Sequence, residues 1–350
     1  MTDPFDTLPD LASKPLGGSV PWANDELFAS RDNLINAHAP EFTPATFGTR
    51  GQVYDGWETR RRREDGFDEA IVRLGVPGIV HGVDIDTTHF VGNFPPEASL
   101  QGCALPGYPN LDVVRGAQWR ELVPRSPLTG NSHNRFPVGD LADDDDAIAG
   151  ALVTHVRLRI YPDGGVSRLR VHGSPVLDPR IVDASPFDLA ALEHGGLVTA
   201  SSNAFYSSAT NLIMPGPART MGEGWETSRR RDGGHDWVEF ELAATGHVRL
   251  IELDTSHFVG NAPGSCSIEG RLGPTGDWVT VLERSPVQPD TRHRFPVADA
   301  GPLTHLRMNA FPDGGLARLR AYGVPTAEAR EAIGRRFAAA LPLAMAAELR

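Results

Sequence analysis

Short runs in which every second residue is apolar recur along the chain. Val156, Leu158 and Ile160 alternate with Arg157 and Arg159; Leu169 and Val171 alternate with Arg168, Arg170 and His172; Val238, Phe240 and Leu242 alternate with Glu239 and Glu241. A period of two sends successive side chains to opposite faces of a strand. Runs this short, bounded by Gly and Pro, predict an antiparallel sandwich rather than strands alternating with helices. Val83 and Ile85 alternate with Asp84 and Asp86 ahead of Thr87-Thr88-His89, which predicts a strand with its acids toward solvent that gives way to a loop. Pro162-Asp163-Gly164-Gly165 and Pro312-Asp313-Gly314-Gly315 each separate two such runs and read as hairpin turns, because Pro presets φ and Gly accepts positive φ. Helical signals are few. Ser185-Pro186-Phe187-Asp188 supplies a cap, a proline and an acid ahead of Gly195-Gly196, predicting a linker helix over Pro186–His194. Asn24–Ala29 reads as a short helix or turn, and the Ala-rich Thr326–Leu349 as a C-terminal helix interrupted near Pro342.

The pattern is written twice. Val83–Asn93 returns as Ile251–Asn261, with His89 and His257 separated by 257 − 89 = 168 residues. Gly56-Trp57-Glu58-Thr59 returns as Gly224-Trp225-Glu226-Thr227, each followed by an arginine run. Arg135-Phe136-Pro137-Val138 returns as Arg294-Phe295-Pro296-Val297, and Thr154–Gly165 as Thr304–Gly315. The offset falls from 168 to 150 (313 − 163), which puts extra residues of the first copy in the loops around Gln101–Asn110 and Asp143–Asp146. Strands kept while loops vary are the mark of a duplicated domain. The expected division is an N-terminal tail over 1–20, a first repeat over 21–175, a linker over 176–197, a second repeat over 198–324 and a helical tail over 325–350.

Composition narrows the function classes. Two domains are the default for 350 residues, and 40% hydrophobic content is ample for a core. A net charge of −12 argues against nucleic acid and against an anionic membrane surface as partners. No apolar run reaches membrane-spanning length, the start is acidic without an apolar signal core, and the two cysteines lack metal-type spacing. A cytoplasmic protein is the expectation. Lys14 is the sole lysine, so arginine abundance is a bias of the whole chain and only the positions of arginines inform.

The polar residues written twice are the candidates for chemistry. Asp86 with His89, and Asp254 with His257, offer either a carboxylate–imidazole proton-transfer set or ligands for a divalent cation. Loop capping by Asp and a structural His is the alternative. Among the 12 histidines, His155 and His305 are also paired and read as structural. Glu58 and Glu226 are candidate acid–base groups. Arg61, Arg62, Arg229 and Arg230 offer guanidinium forks for an anionic substrate, or ion pairs with neighbouring acids. Arg157, Arg159, Arg168 and Arg170 are expected on one sheet face, opposite an acidic strand such as that of Asp84 and Asp86, or around an anion. No Ser-His-Asp order, nucleotide-binding Gly loop or H-E-x-x-H is present.

With these blocks in view, the sequence resembles the allantoicase family over about residues 20–324. The carriers are the paired Trp-Glu-Thr blocks with their arginine runs, the two Asp-Thr-x-His-Phe-x-Gly-Asn blocks, and the repeated Arg-Phe-Pro-Val and Pro-Asp-Gly-Gly. The resemblance implies two tandem jelly-roll β-sandwich repeats of the galactose-binding-like kind, and hydrolysis of allantoate to ureidoglycolate and urea in purine-nitrogen recycling. It also implies a homo-oligomer. Arg suits the substrate carboxylate, and Asn93 and Asn261 suit its ureido groups. Water activation by Asp/Glu–His or by a manganese-type divalent cation both remain open, and no metal ligand set is assigned. The copies differ at one place: Phe67-Asp68-Glu69 stands where the second copy has His235-Asp236-Trp237. A non-catalytic jelly roll that binds a small molecule or carbohydrate is the competing class.

Overall fold

The computed structural model describes residues 4–139, 150–184, 186–342 and 345. The chain divides into two compact units, the first running to Val176 and taking back the chain end from Ala338, the second spanning Leu177–Phe337. The acidic loop Asp143–Asp146 and the cap Ser185 lie outside the described residues.

Each unit is built on one long strand. In unit 1, besides a small two-stranded pair at Phe47–Gly48 and Gly51–Gln52, the strands are β1 (Ser19–Ala23), β2 (Trp57–Glu58), β3 (Asp68–Asp86), β4 (Glu97–Cys103), β5 (Arg120–Pro127), β6 (His133–Pro137), β7 (Val153–Tyr161), β8 (Gly165–Val166) and β9 (Arg168–Pro175). The first half of β3 pairs with β1 and β7, and β7 continues through β4 to β5. The second half of β3 pairs with β9 and β6. One 19-residue strand thereby serves both layers of the sandwich, with the register shifted between Arg73 and Gly78. Unit 2 repeats this with β10 (Leu197–Ser201), β11 (Trp225–Glu226), β12 (Asp236–Asp254), β13 (Ser265–Arg271), β14 (Val279–Pro286), β15 (Arg292–Pro296), β16 (Leu303–Phe311), β17 (Gly315–Leu316) and β18 (Arg318–Pro325). The strand periodicity holds: Val156, Leu158, Ile160, Leu169, Val171, Val238 and Phe240 are buried. Cys103 and Cys266 are buried free thiols, pushed up to about 12 by burial.

Three local expectations are corrected. The Pro-Asp-Gly-Gly segments do not close hairpins: β7 pairs with β3 and β4, whereas β9 pairs with β3 in the other layer. The turn's polar groups are claimed by β2, with Thr59 N donating to Gly164 O at 3.1 Å and Arg62 N to Asp163 Oδ2 at 2.8 Å. The linker helix stands upstream of its expected place, at α2 (Pro179–Ala184; α1 is Leu111–Arg115), because Phe187–Asp188 pairs as a strand with β18. Asn24–Ala29 takes the turn alternative, with Leu27 N donating to Asp25 Oδ1 at 3.0 Å, and the 3₁₀ helix nearby is Arg31–Ile35. The first twenty residues are no loose tail. Phe5, Leu11, Ala12, Leu16 and Val20 are buried, and Leu11 N donates to Val171 O at 2.8 Å. The C-terminal helix α3 (Ala327–Ala340) starts at Thr326, whose Oγ1 accepts from Ala329 N. Among the described residues no helix is long and apolar enough to cross a membrane.

Candidate functional site

The repeated motifs meet in space around one buried ring in each unit. Phe90 is fully buried, and a Cβ on Gly165 would stand 2.0 Å from its Cε1, one on Gly56 2.8 Å from its Cε2. Phe258 meets Gly315 and Gly224 in the same way. Three motifs far apart in sequence are thus locked together by one aromatic side chain against glycines that admit it. Trp57 and Trp225 are buried beside it, their indole N–H groups donating to Asp25 O and Asn203 O, both at 2.7 Å.

This packing sets a carboxylate against an amide. β2 pairs with β8, and the Glu58 side chain leaves it to accept a hydrogen bond from Asn93 Nδ2 at 2.7 Å on Oε1. Asn261 Nδ2 donates to Glu226 Oε1 at 2.6 Å. Burial pushes the Glu58 carboxyl above its ordinary range, and the Asn93 hydrogen bond offsets part of that rise. Exposed apolar residues adjoin each couple: Phe28, whose N–H donates to Glu58 O at 3.2 Å, in unit 1; Tyr206, whose N–H donates to Glu226 O at 3.2 Å, and Met221, whose Sδ lies 3.4 Å from Asn261 Nδ2, in unit 2.

The arginine runs separate into two roles. Arg62 Nη1 donates to Asp68 Oδ1 at 2.7 Å, and Arg230 Nη2 to Asp236 Oδ1 at 2.8 Å; both acids are buried. Arg62 and Arg230 are therefore tied into the scaffold. Arg61 and Arg229 are exposed and make no hydrogen bond or ion pair among the described residues.

Asp86 and His89 do not touch one another. Asp86 Oδ1 accepts from Thr88 N at 2.8 Å and Asp254 Oδ1 from Ser256 N at 2.9 Å, which closes the turn at each strand end. His89 Nε2 donates to Pro40 O at 3.1 Å and His257 Nε2 to Ala218 O at 3.0 Å, both residues at φ 72°. The imidazoles tether a neighbouring loop. Asp84 and Asp86 do not face solvent as the alternation suggested; they are 5% and 2% exposed, because the N-terminal segment and the loop at His38 cover that face.

The four hairpin arginines divide between layers. Arg159 pairs with Glu69 at 2.9 Å and Arg157 with Gln101, while Arg168 and Arg170 stand opposite Asp86 and Asp84 across β9 and β3. The second pair therefore meets Asp84 and Asp86, whereas the first meets Glu69 at the other end of β3 and Gln101 on β4.

Comparison with known proteins decides the family. The family model of the allantoicase repeat matches residues 9–176 and 187–326. The chain belongs to the allantoicase family. It is 52% identical to a probable allantoicase of Nocardia farcinica over 91% of this chain and 95% of that one. A probable allantoicase of Streptomyces coelicolor is 44% identical over 91% and 86%. The crystal structure of allantoicase from Saccharomyces cerevisiae superposes with a TM-score of 0.77 at 32% identity, covering 90% of this chain and 92% of that one.

The allantoicase repeat thus starts earlier than its Trp-Glu-Thr block. Asp10-Leu11-Ala12, Gly17-Gly18 and Asn33-Leu34-Ile35 return 178 residues later as Asp188-Leu189-Ala190, Gly195-Gly196 and Asn211-Leu212-Ile213. That alignment was open to sequence reading, as was the one 150 residues apart that pairs Arg168 with Arg318 and Arg170 with Arg320. The contrast of Glu69 with Trp237 lies away from the Glu–Asn couples: Glu69 pairs with Arg159, while Asn309 at the equivalent position takes His235 instead. Among the described residues no three His, Cys, Asp or Glu side chains converge as a metal ligand set, so no step is assigned to a cation.

Proposed function

We propose that this chain is an allantoate amidinohydrolase, a hydrolase of carbon–nitrogen bonds in linear amidines, and that Glu58 and Glu226 carry its proton transfers. The observation that carries the reading is the Glu–Asn couple, assembled twice from residues 35 apart in sequence, at 2.7 and 2.6 Å. Kinship to probable allantoicases supports the substrate. The role is a step of allantoin degradation that recycles purine nitrogen.

Allantoate carries a carboxylate and two ureido groups on one carbon. Urea leaves when the C–N bond breaks with its electron pair on nitrogen, which must take up a proton. Water then bonds the carbon and loses a proton, giving ureidoglycolate. One carboxyl group can give the first proton and take the second, so the balance closes on a single Glu. The raised pKa of Glu58 favours the protonated form that starts the cycle. Asn93 and Asn261 hold these carboxyls and keep a side-chain carbonyl for a ureido N–H. Arg61 and Arg229, without partners among the described residues, are the guanidinia for the substrate carboxylate. His89 and His257, with Asp86 and Asp254, are positioning residues that fix the strand ends carrying Asn93 and Asn261.

The exposed apolar side chains beside the couples support a homo-oligomer in which they are covered; a monomer mass by light scattering would count against it. Urea release from allantoate, with and without chelator, tests the whole reading. Folded, metal-supplied protein that frees no urea would leave the carbohydrate-binding alternative standing. Loss on chelation that is restored by a divalent cation would add a metal to the site.

A further inference from the structure

Unit 2 carries a cleft of about 400 Å³ lined by Asp188, Glu252, Asp254, Arg318, Arg320 and Tyr322, and neither Glu226 nor Asn261 lines it. Its charges are only partly paired: Arg294 Nε donates to Glu252 Oε2 at 2.7 Å, and Arg320 Nε lies 3.6 Å from Asp188 Oδ2. Across β12 and β18, Glu252 stands opposite Arg320 and Asp254 opposite Arg318, yet among the described residues neither couple closes to an ion pair. Loop carbonyls hold the guanidinia apart from those acids. Arg318 donates to Gly216 O at 2.9 Å and to Glu223 O at 2.7 Å; Arg320 Nη2 donates to Met214 O at 2.5 Å and Gly216 O at 3.0 Å. Arg320 Nη1 is buried and makes no hydrogen bond among the described residues, on a side chain 10% exposed. Arg318 Nη2, Glu252 Oε1 and Asp254 Oδ2 make no hydrogen bond among the described residues.

In unit 1 the chain itself completes the equivalent face. Arg168, the counterpart of Arg318, gives Nη2 to Asp55 Oδ2 at 2.5 Å and lies 3.3 Å from His38 Nδ1. Asp84, the counterpart of Glu252, is bonded to His133 Nδ1 at 2.7 Å. Phe5 lies on Gly82 so closely that a Cβ there would stand 2.1 Å from its ring, and His172, in the place of Tyr322, meets Leu8 O at 2.9 Å. In unit 2 Arg292 and Arg294 lie 3.8 and 2.7 Å from Glu252 Oε2 and Asp188 lies 3.6 Å from Arg320 Nε, but among the described residues no carboxylate is bonded to Arg318. Gly216 stands where His38 does, Glu223 turns the carboxylate that replaces Asp55 toward Arg219 at 2.5 Å, and the chain ahead of Asp188 forms α2.

We propose that this cleft is a second binding site, for a small carboxylate that also carries an N–H donor, of the ureido-acid or amino-acid-amide class. Unit 1 shows the chemistry that satisfies the face: a carboxylate on the buried arginine. In unit 2 the ligand's carboxylate takes that place on Arg318 Nη2, beside the Arg320 guanidinium. Its N–H groups go to the open oxygens of Glu252 and Asp254. The cleft is large enough for a molecule of this size.

The test is calorimetric titration of the full chain with N-carbamoylglycine, with glycolate as a carboxylate without an N–H donor and inorganic phosphate as a plain anion. The expected result is binding of N-carbamoylglycine at least tenfold tighter than of either control, weakened at least tenfold by Arg320→Gln. Tyr322→Trp narrows the cleft without altering a charge and is expected to weaken binding too, so the test stands even if Arg320→Gln does not fold. A doubly substituted Glu58→Gln/Glu226→Gln chain is expected to keep this binding. No binding to the unaltered chain would overturn the proposal, as would equal binding of phosphate. Binding lost in the Glu58→Gln/Glu226→Gln chain but kept in folded Arg320→Gln and Tyr322→Trp would also overturn it. The catalytic reading stands or falls separately, on urea release.

Discussion

Asn93 Nδ2 lies 2.7 Å from Glu58 Oε1, joining the loop after β3 to the short strand β2. The bond matters because Glu58 is buried, and a buried carboxyl without a donor is a poor resident of a folded protein. Asn93 satisfies one oxygen while burial still keeps the group above its ordinary pKa.

Replacing Glu58 and Glu226 together by Gln should lower urea release by about 10²–10⁴-fold, the usual worth of a positioned acid–base group. Each single variant should retain the share of the other unit. Initial rates of the three proteins therefore report whether both units turn over, and a double variant with an unchanged rate would remove Glu58 and Glu226 from the mechanism.

The raised pKa of Glu58 also makes a stability prediction with a definite sign. A group held above its unfolded pKa contributes stability that is whole below the unfolded value, about pH 4.3, and is lost as pH rises through the folded value. Glu58→Gln, which keeps an oxygen for Asn93, should melt near the unaltered chain at about pH 4 and above it at neutral pH. Thermal melts across that window check this; a gap that closes with rising pH contradicts it.

Arg61 and Arg62 are neighbours with opposite expected phenotypes. Arg62→Ala strands the buried Asp68 carboxylate and should destabilise unit 1 by about 3–5 kcal/mol. Arg61→Ala should change stability by less than about 0.5 kcal/mol. With its unit 2 counterpart Arg229→Ala, it should lower kcat/KM by about ten- to a hundredfold through loss of the substrate carboxylate contact. Denaturant melts and steady-state kinetics on the same preparations separate the two.

His89 is bonded to Pro40 O and stacks on Phe42, with ring centroids 5.4 Å apart. His89→Ala should therefore destabilise unit 1 by about 1–2 kcal/mol and reduce turnover less than tenfold. His89→Asn, which tolerates the positive φ of 72°, should recover part of the stability. A hundredfold fall in kcat at unchanged stability would instead place the imidazole in proton transfer.

How much of this was legible in the sequence depends on range. Alternation in Val156–Ile160 and Val238–Leu242 identified strands, since side-chain direction along a strand is a local property. The duplication showed that Glu58, Asn93, His89 and Asp86 each have a counterpart, and so belong to a repeated construction. The pairing of Glu58 with Asn93 was not legible, because it depends on Phe90 drawing three motifs onto one ring. Alternation also sent Asp84 and Asp86 to a face toward solvent, which the structure overturns. Whether such a face meets water depends on what else the chain lays over it, and residues 5–10 and His38 do so in unit 1. The equivalent face of unit 2 stays open over Arg318 and Arg320. Sequence by itself thus determined the strands, their duplication and the inventory of polar residues. Only the tertiary structure decided which arginines are spent on buried acids and which remain free, because burial and pairing are set by contacts between segments distant in the chain.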